Sequence, residues 1–560
     1  RSKYVWFGTT RPFDAFTFIF RATPHGLFQV HAYPFDARTS TFIVECNQAT
    51  WERAGLEDAS EEDSIAFCEE LFAPELGGHR LLSNRSLWMS FVTLRCESWH
   101  NGNVVLLGDA AHTAHFTIGS GTKLAMEDAI SLANALDVHA SSSLGAALTQ
   151  YELERQPVVE RFQEAARESS RYFEDVIRYA SFDPLPFAFQ LLTRSGRITH
   201  LELEKRDPGF VAEVDRWFAR RASGVDAVQR APRPERTSRI PLATPPAPLL
   251  APLDLAGVRI ENRVVLRASA EGPMAPAVGE ALAEAPGLVL TPFVAVNVQG
   301  RVTPETPVAD DLTEFVPGVA NAPVCVVLGH AGRRGAVRPR REGAARPLRG
   351  AATWDLVSAS ALPWGPRAAV PAELDREGME RVIEDFAAGA RRAAWAGAGA
   401  LLLEASRGSL LASFLSPLSN RRGDAFGGDM AGRLRFPLEV LAAVREEWEG
   451  PLGVRYSATD WAAGGLGRSD SLSVAQALHA AGADFLDVVA GGTVAEQRPV
   501  YGRFFLVPYS DVVRNEIGIP TMTSGNLTTA DEANTILAAG RADLVVLEPA
   551  PRHVVRDGAA

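Results

Sequence analysis

Apolar residues alternate with polar ones, or run unbroken, in three short stretches near the start of the chain. These are Phe16-Thr-Phe-Ile-Phe20, Leu27-Phe-Gln-Val-His-Ala-Tyr33 and Thr41-Phe-Ile-Val-Glu45. Turn formers separate them, Pro24-His-Gly26 and Asp36-Ala-Arg-Thr-Ser40. This pattern predicts an antiparallel meander with one covered face. Further on, Asn103-Val-Val-Leu-Leu107 reads as an apolar strand that stops on Gly108-Asp109, and a helix opens near Gly119-Ser120-Gly121. Leu124, Ile130, Ala133 and Leu136 then keep helical spacing, and helical sequence continues through Tyr151–Tyr179 and Ala212–Arg221.

Between about Ala222 and Pro252 the pattern breaks. Pro232, Pro234, Pro241, Pro245, Pro246, Pro248 and Pro252 interrupt any helix or central strand, which predicts an extended, semi-stiff linker. Beyond it, apolar strands are expected at Arg263–Arg267, Gly287–Val296, Val324–Gly329, Ala400–Glu404, Leu452–Ser457, Phe485–Ala490, Thr521–Ser524 and Leu544–Leu547. Helical stretches Arg376–Ala396, Met430–Glu447, Ser471–Ala481 and Thr529–Ala539 lie between the later ones. Eight strands in strand–helix order predict a parallel (β/α)8 TIM barrel, whose chemistry sits at the strand C-terminal ends. The fold class is therefore multidomain, α/β and α+β. A partial first domain covers 1–221, the linker 222–252 and the barrel 253–560.

Bulk properties narrow the function. A chain of 560 residues exceeds one core, and 46% hydrophobic with 22% charged residues is a globular balance. The net charge of −12 argues against nucleic acid as a partner. The basic run Arg333, Arg334, Arg338, Arg340, Arg341, Arg346, Arg349 reads as a solvated loop or a contact for an acidic ligand. Cys46, Cys68, Cys96 and Cys325 have neither zinc nor disulfide-framework spacing, so no metal is expected. No signal peptide and no bilayer-length apolar run is visible, which places the chain in the cytoplasm, away from membranes. Arg1-Ser-Lys-Tyr has no initiator Met and no glycine-rich fingerprint before it, so the sequence reads as a fragment holding part of an FAD site.

The strand ending on Gly108-Asp109 carries the first candidate chemistry. Asp109 is positioned to accept hydrogen bonds from ribityl hydroxyls, while the following loop presents backbone amides and a helix N-terminus to a flavin. Gly119 and Gly121 permit close approach of the backbone to the ring. His112 and His115 are candidate acids but more naturally spacers. The whole string, Gly108-Asp-Ala-Ala-His-Thr-Ala-His-Phe-Thr-Ile-Gly-Ser-Gly-Thr-Lys-Leu-Ala-Met-Glu-Asp-Ala, resembles the last FAD motif of the para-hydroxybenzoate-hydroxylase-like monooxygenases. Ala114-His115-Phe116 stands where most of that family has a proline after the histidine. With Phe13-Asp14-Ala-Phe-Thr-Phe18, this variant resembles the branch acting on 2-aminobenzoyl-CoA or salicylyl-CoA, in which the hydroxylase is fused to an Old Yellow Enzyme-like barrel.

The second half is similar to that barrel family in Leu328-Gly-His-Ala-Gly-Arg-Arg-Gly335, Ser413-Phe-Leu-Ser-Pro-Leu-Ser-Asn-Arg421, Phe426-Gly-Gly428, Arg433, Val454-Arg-Tyr-Ser-Ala-Thr-Asp-Trp461 and Ala539-Gly-Arg-Ala-Asp-Leu544. The resemblance implies FMN, with Arg455 near flavin N1 and the phosphate on Gly525-Asn526 and Gly540-Arg541. The departures are specific. Glu404 and Arg407 replace the paired His and His or Asn that grip a substrate carbonyl, and Ser409 replaces the tyrosine proton donor. Val327 replaces a glutamine, and Glu548 an arginine. Segments 267–287 and 306–323 are short. Glu404, Arg407 and His330 are therefore the candidate catalytic positions of a barrel with altered reductase chemistry. Together the resemblances imply a flavoprotein that hydroxylates, then reduces, an aromatic acyl-CoA using FAD, FMN, NAD(P)H and O2; homo-oligomerisation is left open. The alternative is a truncated or reductase-deficient homologue in which the barrel is a structural or oligomerisation module.

Overall fold

Period-two sequence gives four antiparallel strands, β1 (Ser2–Thr9), β2 (Thr17–Thr23), β3 (Gly26–Pro34) and β4 (Ser40–Asn47), in a sheet completed by β5 (Leu81–Leu82). In this computed structural model, which describes residues 2–139, 143–223, 245–269, 274–316, 322–342 and 346–547, the strand order is β2-β3-β4-β1-β5. The predicted meander is β2 to β4, and β1 pairs along the full length of β4. Alternation sends Val5, Phe7, Phe28, Val30, Ala32, Phe42, Val44 and Cys46 to one face, where they form a core with Phe72 and Leu76. Gln29, His31, Glu45, Tyr4 and Trp6 take the other face.

Two helices continue this unit, α1 (Gly121–Val138) and the long α2 (Leu144–Glu174), which starts seven residues before its predicted beginning at Tyr151. The expected strand over 103–107 is mostly absent. Only Val104–Val105 forms a ladder, with His100–Asn101. A strand is defined by its hydrogen-bonded neighbour, and among the described residues no other segment supplies one.

The barrel closes as expected. Its strands are β6 (Val264–Arg267), β7 (Leu288–Ala295), β8 (Val324–Gly329), β9 (Ala400–Ala405), β10 (Leu452–Ser457), β11 (Phe485–Val489), β12 (Thr521–Thr523) and β13 (Leu544–Val546), all parallel, with β13 returning to β6. Most are rich in Val and Leu because one face packs on helices and the other on the interior. Helices at Arg376–Trp395, Met430–Glu447, Arg468–Ala480 and Ala530–Ala538 match the predicted stretches to within a few residues. The short segment after β6 nevertheless forms a helix, Met274–Ala283.

The unit boundary differs from the proline-rich segment. One unit holds residues 1–182 and 194–198, the other 183–193 and 199–560. Helices Pro184–Thr193, His200–Arg206 and Pro208–Ala222 thus belong with the barrel. The reason lies in specific contacts: Gln190 Nε2 donates to Ala539 O, His200 N to Thr535 Oγ1, and Leu201 N to Asp531 Oδ1. Most of the expected linker, 224–244, lies outside the described residues. Among the described residues no helix is long and apolar enough to cross a membrane.

Close packing inside the barrel makes a test. A Cβ added at Gly453 on β10 would lie 2.3 Å from the Phe485 ring on β11. Gly453→Ala should cost about 1–3 kcal/mol through overpacking, read as a lowered urea midpoint for the barrel; an unchanged midpoint would contradict the packing.

Candidate functional site

The turn after Leu107 needs glycine. Gly108 has φ +57°, and a Cβ there would sit 2.9 Å from Ala125 Cβ of α1. Beneath the turn, Asp128 of α1 is fully buried and gathers three donors. Its Oδ2 accepts from Gly108 N at 3.2 Å and faces His112 Nε2 at 2.7 Å; its Oδ1 accepts from Arg155 Nε at 2.8 Å. Burial pushes the Asp128 carboxyl up, but His112 and Arg155 outweigh it and hold it below the usual range. Asp128 belongs to the flavin motif string read from the sequence, whereas Arg155 lies outside it. Their pairing spans a helix and its neighbour, so spacing alone gives no signal for it.

Asp109, by contrast, is exposed and has no partner among the described residues. Downstream, Ser120 leaves α1 without a side-chain cap, so the first amides of that helix stay open. Gly119 has φ +61°, and a Cβ at Gly119 or Gly121 would meet nothing within 4 Å. A free carboxylate beside an uncapped, side-chain-free helix N-terminus fits an FAD ribityl and ring edge. Neither histidine is free for proton transfer. His112 is fixed by Asp128 and packs on Trp99, and His115 is buried, its pKa lowered chiefly by that burial.

In the barrel, adjacent positions on three strands face inward: Glu404 on β9, Arg455 on β10 and Asp487 on β11. Arg455 Nη1 donates to Glu404 Oε2 at 3.0 Å and Nε to Asp487 Oδ2 at 2.6 Å, while Nη2 is buried without a partner. Burial alone would lower the Arg455 pKa; the two carboxylates reverse that and raise it. Asp487 escaped notice in the sequence, although an acid inside Phe485-Leu-Asp-Val-Val is itself a signal of a buried partner. Arg267 on β6 approaches the same carboxylate at 3.7 Å.

The other candidates scatter. Glu404 Oε1 accepts from Ser406 N and Oγ, so both its oxygens are engaged. His330 is 1% exposed, and burial pushes its pKa down to about 3, so it stays neutral. Arg407 is exposed at φ +53°. Nearby Arg334 stacks on Trp364 at 3.8 Å, and burial, then Arg333 and Arg407, push it down to about 10. Gly525 and Asn526 follow β12 at φ +105° and +56°, their amides without partners among the described residues. That nest and Arg455 Nη2 fit the phosphate and the ring of FMN. Gly540 and Arg541 do not join them. They precede β13, at the opposite end of the strands, and their amides already close the preceding helix on Leu537 O and Ile536 O. Glu548 lies outside the described residues.

Two family profiles match: an FAD binding domain over residues 6–166, and the NADH:flavin oxidoreductase / NADH oxidase family over 322–557. An NADPH dehydrogenase of Listeria innocua is 35% identical over 270 residues, 47% of this chain and 75% of that protein. The chain belongs to the NADH:flavin oxidoreductase / NADH oxidase family. It joins that family's FMN barrel to an FAD-binding domain, and the cofactors of the pair are FAD, FMN and NAD(P)H. A Streptomyces salicyloyl-CoA 5-hydroxylase is 48% identical over 229 residues, 39% of this chain. The match spans only 44% of that hydroxylase. Among solved structures, a 2-naphthoyl-CoA reductase complex superposes at a TM-score of 0.47 with 21% identity, over 54% of this chain and 50% of that one, and adds nothing to the assignment.

Because folding depresses the Asp128 pKa, its contribution is present above the unfolded value of about 3.9 and is lost as pH falls through the folded value. Asp128→Ala should cost about 3 kcal/mol by stranding Arg155 and the Gly108 amide. Thermal melts at neutral pH and at about pH 3 check both statements: the gap between wild type and variant should shrink in acid.

Proposed function

We propose that the first unit hydroxylates an aromatic acyl-CoA such as salicyloyl-CoA or 2-aminobenzoyl-CoA, and that the barrel then transfers hydride to the product. The exposed Asp109 beside the open N-terminus of α1 carries this reading, because it is the feature shaped for a flavin ring edge. Gly108, Asp109, Gly119 and Gly121 are assigned to FAD; Arg455, Gly525 and Asn526 to FMN. When bound and reduced, FAD supplies O2 activation, and the electron-rich ring is the acceptor of one oxygen atom. NAD(P)H is the source of hydride. The name of the Streptomyces relative supports the substrate class. Incubation of the protein with FAD, FMN, NADPH, O2 and either thioester should give a product one oxygen heavier, with label from 18O2. Unlabelled or unchanged thioester would overturn the reading.

The barrel's own residues set how well it reduces. A fixed cation near the flavin pyrimidine edge stabilises reduced, anionic flavin. Here two acidic partners, Glu404 and Asp487, offset the single Arg455 charge. Arg407 offers a cation at the mouth, where an acyl-CoA phosphate or a carbonyl oxygen would meet it. Glu404→Gln should therefore tighten FMN by roughly tenfold and raise its reduction potential, since one interfering charge is removed at a partly buried site. Fluorescence titration and spectroelectrochemistry would read this; an unchanged potential removes Glu404 as the cause. Glu404→His with Arg407→His should raise enone reduction. A second reading, in which the barrel is a structural or oligomerisation module, draws on the same ion pair at Glu404.

A further inference from the structure

One face of the first unit's sheet is unlike the other. The row Gln29, Glu45 and Tyr4 runs across β3, β4 and β1, with His31 diagonal to Glu45. Gln29 is 1% exposed, His31 2% and Glu45 0%. His31 Nε2 faces Glu45 Oε2 at 3.1 Å. Beyond that contact the polar atoms are stranded: Gln29 Oε1 and Nε2, and Glu45 Oε1, are buried without a partner. An unsatisfied buried amide costs roughly 1–3 kcal/mol, so three such atoms side by side need an explanation. None of these residues is used by the flavin assignments above.

Aromatic rings enclose the row. Phe18, Phe116 and Phe173 lie 5.1, 5.7 and 4.8 Å from the His31 ring, and Phe16 at 6.4 Å is largely exposed and forms the open side. Phe116 belongs to the turn just before Gly119, so this face looks onto the FAD loop. The charged and titratable groups facing His31 are Glu45 on β4, Tyr4 on β1, His115 in the FAD loop and Arg194, whose guanidinium lies over Phe18 and Phe173. Burial drives the Glu45 carboxyl up, and the hydrogen bond to His31 is first among the contacts that draw it below its ordinary value.

We propose that this face is the ring-recognition site of the hydroxylase, resting on the function proposed above, and that His31 is its base. In the neutral tautomer that donates Nε2–H to Glu45, Nδ1 carries the lone pair and has no partner among the described residues. The ring docks among the phenylalanines in place of the exposed Phe16 edge. Gln29 Nε2 donates its two N–H groups to the ring's ortho oxygen and to the neighbouring carbonyl oxygen. The phenolic O–H bond breaks, the proton moves to His31 Nδ1, and the electron pair stays on oxygen and spreads into the ring. The ring carbon para to that oxygen becomes more nucleophilic, which the oxygen transfer requires. For an amino substituent, Nδ1 accepts a hydrogen bond from N–H and no proton moves. Glu45 acts through His31 and is a positioning residue.

The test uses the whole protein, with salicyloyl-CoA and 2-aminobenzoyl-CoA as probes. The absorbance of bound salicyloyl-CoA, titrated with pH, reads phenol ionisation without turnover. In the wild type the bound phenol should ionise about one or more pH units below the free ligand. His31→Gln should abolish that shift, and Glu45→Gln should reduce it while binding persists. Gln29→Met should weaken binding roughly tenfold and leave the shift in place. Nitrogen-15 NMR of labelled histidine should give the Nε2–H tautomer for His31 in the unliganded protein. If His31→Gln fails to fold, Glu45→Gln and the tautomer decide, and an Nδ1–H tautomer overturns the proposal. Binding with the same ionisation in all variants overturns the proposal and leaves the substrate class standing. Failure of both thioesters to bind the wild type overturns both.

Discussion

A carboxylate buried against an arginine is the constraint on which both units rest. In the first, Asp128 ties the Gly108 turn and His112 on one side to Arg155 on the other. In the barrel, Asp487 and Glu404 hold Arg455 from two neighbouring strands. Such pairs lose hydration on burial and recover it only with good geometry. They are therefore weak sources of net stability and strong determinants of position. Each fixes a loop or strand end to which a flavin group is assigned.

The two sites use this constraint with opposite results. Asp128 draws its partners away from the cofactor side and leaves Asp109 and the amides of α1 free. Glu404 sits among the groups assigned to FMN and weakens the field of the arginine it holds. The FMN-assigned residues that fit best are accordingly Arg455 Nη2 and the Gly525–Asn526 nest, while the positions for carbonyl activation fit least.

Much of this was legible in the sequence. The barrel strands are short apolar runs between amphipathic helices, and both periods survive in the structure. What failed did so for reasons that do not live in local sequence. The strand over 103–107 needs a neighbour along its whole length, and His100–Asn101 pairs with only two of its residues. Helices over 184–222 look like the end of the first unit, yet the Gln190 side chain and the His200 amide hydrogen-bond to the last barrel helix, hundreds of residues away. The Gly540-Arg541 string matched in kind but stands before its strand rather than after it. Gln29 and His31 were visible as polar residues at period two, but their burial depends on rings from Phe116 and Phe173, far along the chain.

The sheet of the first unit separates an oily side from a polar one by nothing more than parity. Every residue from Gly26 to Pro34 owes its side to the length of the hairpins that flank it. Adding one residue at the Asp36 bend would threaten to exchange Gln29 and His31 for Phe28 and Val30, whereas adding two would lengthen the loop and leave the assignment intact. Natural variation in that bend should therefore come in pairs.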